Sequence, residues 1–91
     1  MKLAEVAALV GGEVRGDESV DISCIETLSA AESGAIAPVI GKLGVRRVPK
    51  SRASALLVSR ALADFVGERP RVVVEDVGAA RRVLEKRLSR S

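Results

Sequence analysis

Lys42, Arg46, Arg47, Lys50 and Arg52 place five cations within eleven residues, with no acid among them. Clustered Lys and Arg attract anions, so the run fits a contact for phosphate, an acidic protein or nucleic acid. It fits a solvated loop or helix face equally well. No aromatic residue is interleaved, which speaks against a surface for single strands, where bases stack on rings. A second basic group, Arg81, Arg82, Lys86, Arg87 and Arg90, is opposed only by Glu85. Near a helix C-terminus such cations complement the dipole, and Arg81 and Arg82 are spaced to pair with Glu85. The other reading of Arg81, Arg82, Lys86 and Arg87 is a docking face for a protein partner.

Other reactive types are few. The chain has no histidine, which excludes Ser-His and Cys-His nucleophile pairs and every His-based metal site. Cys24 is the single cysteine, so no intrachain disulfide can form and a cytoplasmic setting is the default. It alternates with Val20 and Ile22 and reads as a small apolar core residue. Gly41-Lys42 is followed by Leu43, so the Gly-Lys-Ser/Thr pattern of a phosphate loop is absent. Asp17, Glu18 and Asp21 lack calcium-loop spacing and read as a solvated turn. No catalytic set, metal site or cofactor is expected of this chain alone.

The elements that must position these residues follow from periodicity. Leu3, Val6, Ala7 and Val10 form a helical stripe, stopped by Gly11-Gly12. Glu13 to Arg15 suits a short strand, and Gly16-Asp17-Glu18 a turn. Val20, Ile22 and Cys24 alternate with polar residues as a half-buried strand. Residues 28–33 suit one helical turn closed by Gly34. Ala35 to Ile40 reads as a strand that Pro38 assigns to an edge or a break. Leu43 and Arg46-Arg47 fit a short helix ending before Pro49. Ala53 to Val58 reads as a strand, and Ser59 as the cap of a helix over Ala61 to Val66. Val72 to Val74 is a strand by β-propensity. Asp76 then caps a final helix with Val77, Ala80, Val83, Leu84 and Leu88 on its apolar face, and Ser89 to Ser91 should fray.

Helices alternating with short strands predict an α/β or α+β fold: a small mixed β-sheet flanked by short helices, in one domain over residues 1–91. At this length, roughly 60–65% of the unfolded chain's surface can be buried. Phe65 is the only aromatic residue, and no apolar run reaches the ~20 residues that span a bilayer. The first ten residues include Glu5 and read as a helix, not a signal peptide. Residues 1–41 carry a net charge of −5 and residues 42–91 of +8, so oppositely charged halves could orient a protein partner or support self-association.

Several motifs in order carry a family likeness: LAEVAALVGG at Leu3 to Gly12, Gly16-Asp17, and Val20, Ile22 and Ile25 as V-x-I-x-x-[VI]. Leu28, Ala31, Gly34 and Ile36 continue them without a gap. Ala53-Ser54-Ala55 before Leu56 to Val58, and Val72 to Val74 before Glu75-Asp76, complete the series. The sequence resembles the N-terminal, non-repeat domain of bacterial UDP-3-O-acylglucosamine N-acyltransferase, an enzyme of lipid A synthesis. The Mur ligase N-terminal domain is a weaker likeness.

The resemblance implies a domain that helps hold the uridine of a sugar nucleotide with aromatic side chains. Those positions fall here on Pro38 and Gly44, and the aromatic positions of the last helix on Gly78 and Arg81. The family's Asp after the glycine is Ala35, and its Asn-Pro is Gly41-Lys42. It also implies that hexapeptide repeats and the catalytic histidine belong to a further, trimeric part of the enzyme. Two functions are expected from this pattern. The first is a non-catalytic binding or adaptor module that mediates protein–protein interaction. The alternative is the uridine-sugar-nucleotide recognition domain of the enzyme, with Lys42 to Arg52 as the ligand-binding segment.

Overall fold

The computed structural model describes residues 1–88. Helix α1, Leu3–Val10, buries the stripe Leu3, Val6 and Ala7 and ends at Gly11, whose φ of 65° is the left-handed geometry of a helix C-cap. At its start, Glu5 Oε1 accepts the Lys2 N–H at 2.8 Å. Strand β1, Glu13–Arg15, follows directly. Strands β2 (Cys24–Ile25), β3 (Ala35–Pro38), β4 (Ala55–Ser59) and β5 (Arg71–Val74) complete a five-stranded sheet in the order β1-β5-β4-β3-β2. Only the β1–β5 pair is antiparallel; β2 to β5 run parallel. The fold is therefore the expected mixed sheet with flanking helices.

Both faces of the sheet are covered, which explains why β4 is a continuous apolar run. Ala55 and Leu57 point into one core with α1 and helix α3, Val77–Arg87. Leu56 and Val58 point into the other, with Val48, Ala63 and Val66. That second face is closed by helix α2, Gly41–Arg47, and two 3-10 turns, Val48–Lys50 and Ala63–Phe65. Cys24 is buried, on the α2 side of the sheet, while Ile22 lies in the α1–α3 core.

Pro38 sits in an inner strand, yet its backbone nitrogen faces a gap. The Ile36 carbonyl accepts from Glu26 on the β2 side, and the Val39 N–H donates to Leu57 on the β4 side. Residues 36 and 38 thus face β2, which has already ended at Ile25. The missing N–H breaks no ladder bond there.

Three expectations are corrected and one is narrowed. Val20 to Ser23 keeps its alternating burial but joins the chain start instead of the sheet: Val20 O accepts from Leu3, and Ile22 N–H donates to Met1 O. The turn expected over residues 28–33 is shorter: Thr27 O accepts from Ala30 and Ala31, one turn of helical bonding that does not continue, while Thr27 Oγ1 also takes Ala30 N–H. Ser59 caps nothing; it pairs with Val74 as a strand residue, and the segment beyond it forms only the 3-10 turn. Val83 is 39% exposed, so the apolar face of α3 is narrower than its sequence suggests. The expected fraying of Ser89 to Ser91, and Arg90, lie outside the described residues.

Candidate functional site

Helix α2 carries most of the candidate cations and lies over the carboxyl end of β3. Its seating depends on Gly44, which is buried against Val39: a Cβ there would lie 3.3 Å from Val39 Cγ1. With Gly44 inward, helical spacing turns Lys42 and Arg46 outward, one turn apart, and sends Arg47 down the flank that carries Leu43. Lys42, Arg46, Arg47 and Lys50 are all exposed. No ion pair engages any of these four among the described residues. Arg52 is different, since its Nη1 lies 3.5 Å from Glu32 Oε2.

The five residues do not form one site. Lys42 and Arg46 flank a shallow cleft of about 290 Å³ with Val45, Leu62 and Phe65. Arg47 lies on the opposite flank, in a cleft of about 180 Å³ floored by Thr27, Leu28, Pro38 and Gly44. Lys50 and Arg52 line neither cleft. The second basic group is divided too. Arg81 joins Arg47 in the smaller cleft, where its Nε lies 3.4 Å from Glu85 Oε2. Arg82, Lys86 and Arg87 are exposed elsewhere on α3, the last two in its final turn.

The smaller cleft therefore gathers Pro38 and Gly44, the positions where the resemblance implies uridine-holding rings, and Arg81, one of its aromatic positions in the last helix, beside Arg47. Gly78 lies apart, at the wider crevice over the ends of β3, β4 and β5. That crevice is poorly suited to an anion, although parallel sheets commonly bind ligands there. The Asp76 carboxylate occupies the start of α3, accepting Ala79 N–H at 3.0 Å, and Glu75 stands beside it. Two guanidiniums on apolar walls can grip a phosphate or lie flat against a ring. No side chain in this cleft is a nucleophile paired with a base.

The acidic turn has its own explanation. Asp17 Oδ1 accepts Ser19 Oγ–H at 2.6 Å and Ser19 N–H at 2.9 Å. The hydroxyl first and the backbone N–H second hold the carboxyl below the ordinary aspartate value. Asp21 pairs with Lys2 at 3.0 Å. Among the described residues, no group of three His, Cys, Asp or Glu side chains is placed to hold a metal ion.

One comparison finds a related sequence. The chain is similar to the UDP-3-O-acylglucosamine N-acyltransferase of Hahella chejuensis (strain KCTC 2396). The two are 34% identical over 62 residues, which cover 68% of this chain and 18% of that enzyme. The likeness supports a link to that acyltransferase family, and the matched stretch spans less than a fifth of the relative's length. No protein-family model matches the chain. No helix of the described residues is long and apolar enough to cross a membrane.

Sequence reasoning missed two features. The sequence places Arg47 and Arg81 in separate basic groups, because nothing local links positions so far apart in the chain. In the sequence Phe65 stands out only as the sole aromatic residue, and in the structure it is 68% exposed beside α2. The signal for Phe65 was present: a lone large ring between Asp64 and Val66, in a segment too short for a full helix to bury it.

Proposed function

We propose that the chain is a recognition domain of the UDP-3-O-acylglucosamine N-acyltransferase kind, equivalent to that enzyme's N-terminal, non-repeat part. Its ligand is a uridine sugar nucleotide, held in part by the Arg47–Arg81 cleft. The observation that carries this reading is the meeting of Pro38, Gly44 and Arg81 with Arg47 in one cleft. At about 180 Å³ the cleft takes one moiety of such a ligand, since whole-ligand pockets run to roughly 300–1,000 Å³. The aromatic rings implied by the resemblance are absent, but the planar guanidinium of Arg81 supplies a face on which a base can stack. Arg47 supplies charge for the diphosphate. The role is binding, with no catalytic group in these residues.

Titration with UDP-N-acetylglucosamine, followed by amide NMR, tests the reading. Shifts confined to residues 38–47 and the first turns of α3, weakened about tenfold in Arg47→Ala, are expected for a charge-assisted contact. No shifts at millimolar ligand would overturn it.

A second reading, a protein-interaction module, is favoured by a separate observation. Ile40, Leu43 and Phe65 are 62%, 59% and 68% exposed, and all three lie on or beside α2.

A further inference from the structure

The larger cleft beside α2 is built unlike the rest of the surface. Its walls are Val45 and Leu62, its rim is Phe65, and its charged edge is Lys42 and Arg46. Phe65 is the most exposed large apolar side chain among the described residues. An adjoining hollow of about 270 Å³ shares Val45 and Phe65 and extends the groove past Pro49 toward Arg69. Together they form an open apolar trough along α2 and the Val48–Lys50 turn.

The charged edge of the larger cleft is wholly basic, Lys42 and Arg46, while Glu68 stands with Arg69 at the far end of the adjoining hollow. Residues 33–63 contain no acid at all, and six cations. Five other cations meet carboxylates, Lys2 with Asp21, Arg15 with Asp64, Arg52 with Glu32, Arg60 with Glu75 and Arg81 with Glu85, whereas Arg82, Lys86 and Arg87 on α3 have no such pair among the described residues. Lys42 and Arg46 have no such partner among the described residues, although they stand one helical turn apart on an exposed crest. Two free cations at that spacing match two carboxylates one turn apart on a facing helix. An exposed ring beside an apolar hollow matches one large apolar anchor between them.

We infer that this trough docks an acidic amphipathic peptide segment of a partner protein, with its apolar anchor against Phe65, Val45 and Leu62. Its carboxylates pair with Lys42 and Arg46. The trough is concave, which fits a peptide better than the broad surface of a bilayer. A second copy of this chain fits less well, because its acidic segment Asp17 to Asp21 is a turn tied by the Asp17–Ser19 bonds and the Lys2–Asp21 pair, with no helix to lay along the trough. The inference supplies the partner for the interaction-module reading. It shares no lining residue with the Arg47–Arg81 cleft, so failure of the sugar-nucleotide titration leaves it standing, and the reverse.

The test is selection of a random peptide-display library on the intact chain, with counter-selection on a Lys42→Glu/Arg46→Glu variant. All the altered side chains are exposed, and the amide NMR spectrum checks that each variant folds. Enriched peptides should carry paired acids one helical turn apart flanking a Leu, Ile, Phe or Trp. A synthetic representative should bind the chain and lose about tenfold or more in affinity with Phe65→Ser. Enrichment that survives on the charge-reversed variant, or enriched peptides without acids, overturns the inference. So does retention of the chain on phosphatidylglycerol vesicles with no peptide enrichment, which would assign the trough to an anionic membrane. Enriched peptides drawn from the chain's own residues 13–21, with concentration-dependent mass, would assign it to self-association instead.

Discussion

Gly11 and Gly12 stop the same helix for different reasons. Gly11 takes φ of 65° at the C-cap of α1, and a Cβ added there meets no atom within 4 Å. Gly12 lies against β5: a Cβ would stand 2.7 Å from Val72 Cγ1, 2.8 Å from Val73 O and 2.9 Å from Val74 Cγ1. The first substitution costs conformation alone, about 1–2 kcal/mol for a left-handed non-glycine residue. The second forces backbone and core side chains apart, an overpacking cost of about 1–3 kcal/mol or more. Gly12→Ala should therefore lower the urea midpoint at least as much as Gly11→Ala and disturb the amide shifts of Val72 to Val74. Gly11→Ala should leave those shifts in place. The sequence made the Gly-Gly stop visible, but not this division of labour, because close approach to β5 depends on a pairing sixty residues away in register, Glu13 with Val73.

Capping shows the same contrast at the scale of an element. Ser59 and Asp76 both precede apolar segments and both have side chains that can cap. In Asp76 the carboxylate accepts Ala79 N–H at 3.0 Å, and an eleven-residue helix follows. Ser59 is claimed by the β4–β5 ladder, which the Arg60 N–H extends by donating to Val74 O at 3.2 Å. A sheet bond formed with a distant strand therefore overrides a local helix signal. Asp76→Ala should cost about 1 kcal/mol in urea unfolding, the usual value of a lost N-cap, while Ser59→Ala has no cap to lose. A larger loss at Ser59 than at Asp76 would contradict this assignment. Elements with strong periodicity or β-branched runs, such as α1 and β5, were legible for the opposite reason: local preference and long-range pairing agree there. The turn after Thr27 is shorter than its apolar spacing suggests, since the Thr27 hydroxyl bonds Ala30 N–H locally in a way that spacing does not report.

For the whole molecule, the sheet interleaves what the sequence keeps apart. Acidic residues 1–41 and basic residues 42–91 do not form two ends: β1 pairs with β5, and α1 packs on α3. Arg15 meets Asp64, and Arg52 meets Glu32, across that divide. The α2 crest remains without carboxylate partners among the described residues, as do Arg82, Lys86 and Arg87 on α3, and both candidate clefts flank α2. The basic run in the sequence pointed to this region, but its partition between two flanks required the inward seating of Gly44. The same interleaving governs stability. Leu56 and Leu57 are both fully buried neighbours in β4, yet they fill separate cores on opposite faces of one sheet. Truncating either to Ala should cost about 2–5 kcal/mol, the range for a buried leucine. A domain of this size has a total stability of about 5–15 kcal/mol, so each single variant should fold and the double variant should lose most or all of its native population. Neither core can stand without the sheet they share, so far-ultraviolet circular dichroism and amide NMR should report one coincident urea transition for each single variant. Loss of the Leu56 core with an intact α1–α3 core, seen as two separated transitions, would show that the two faces fold independently.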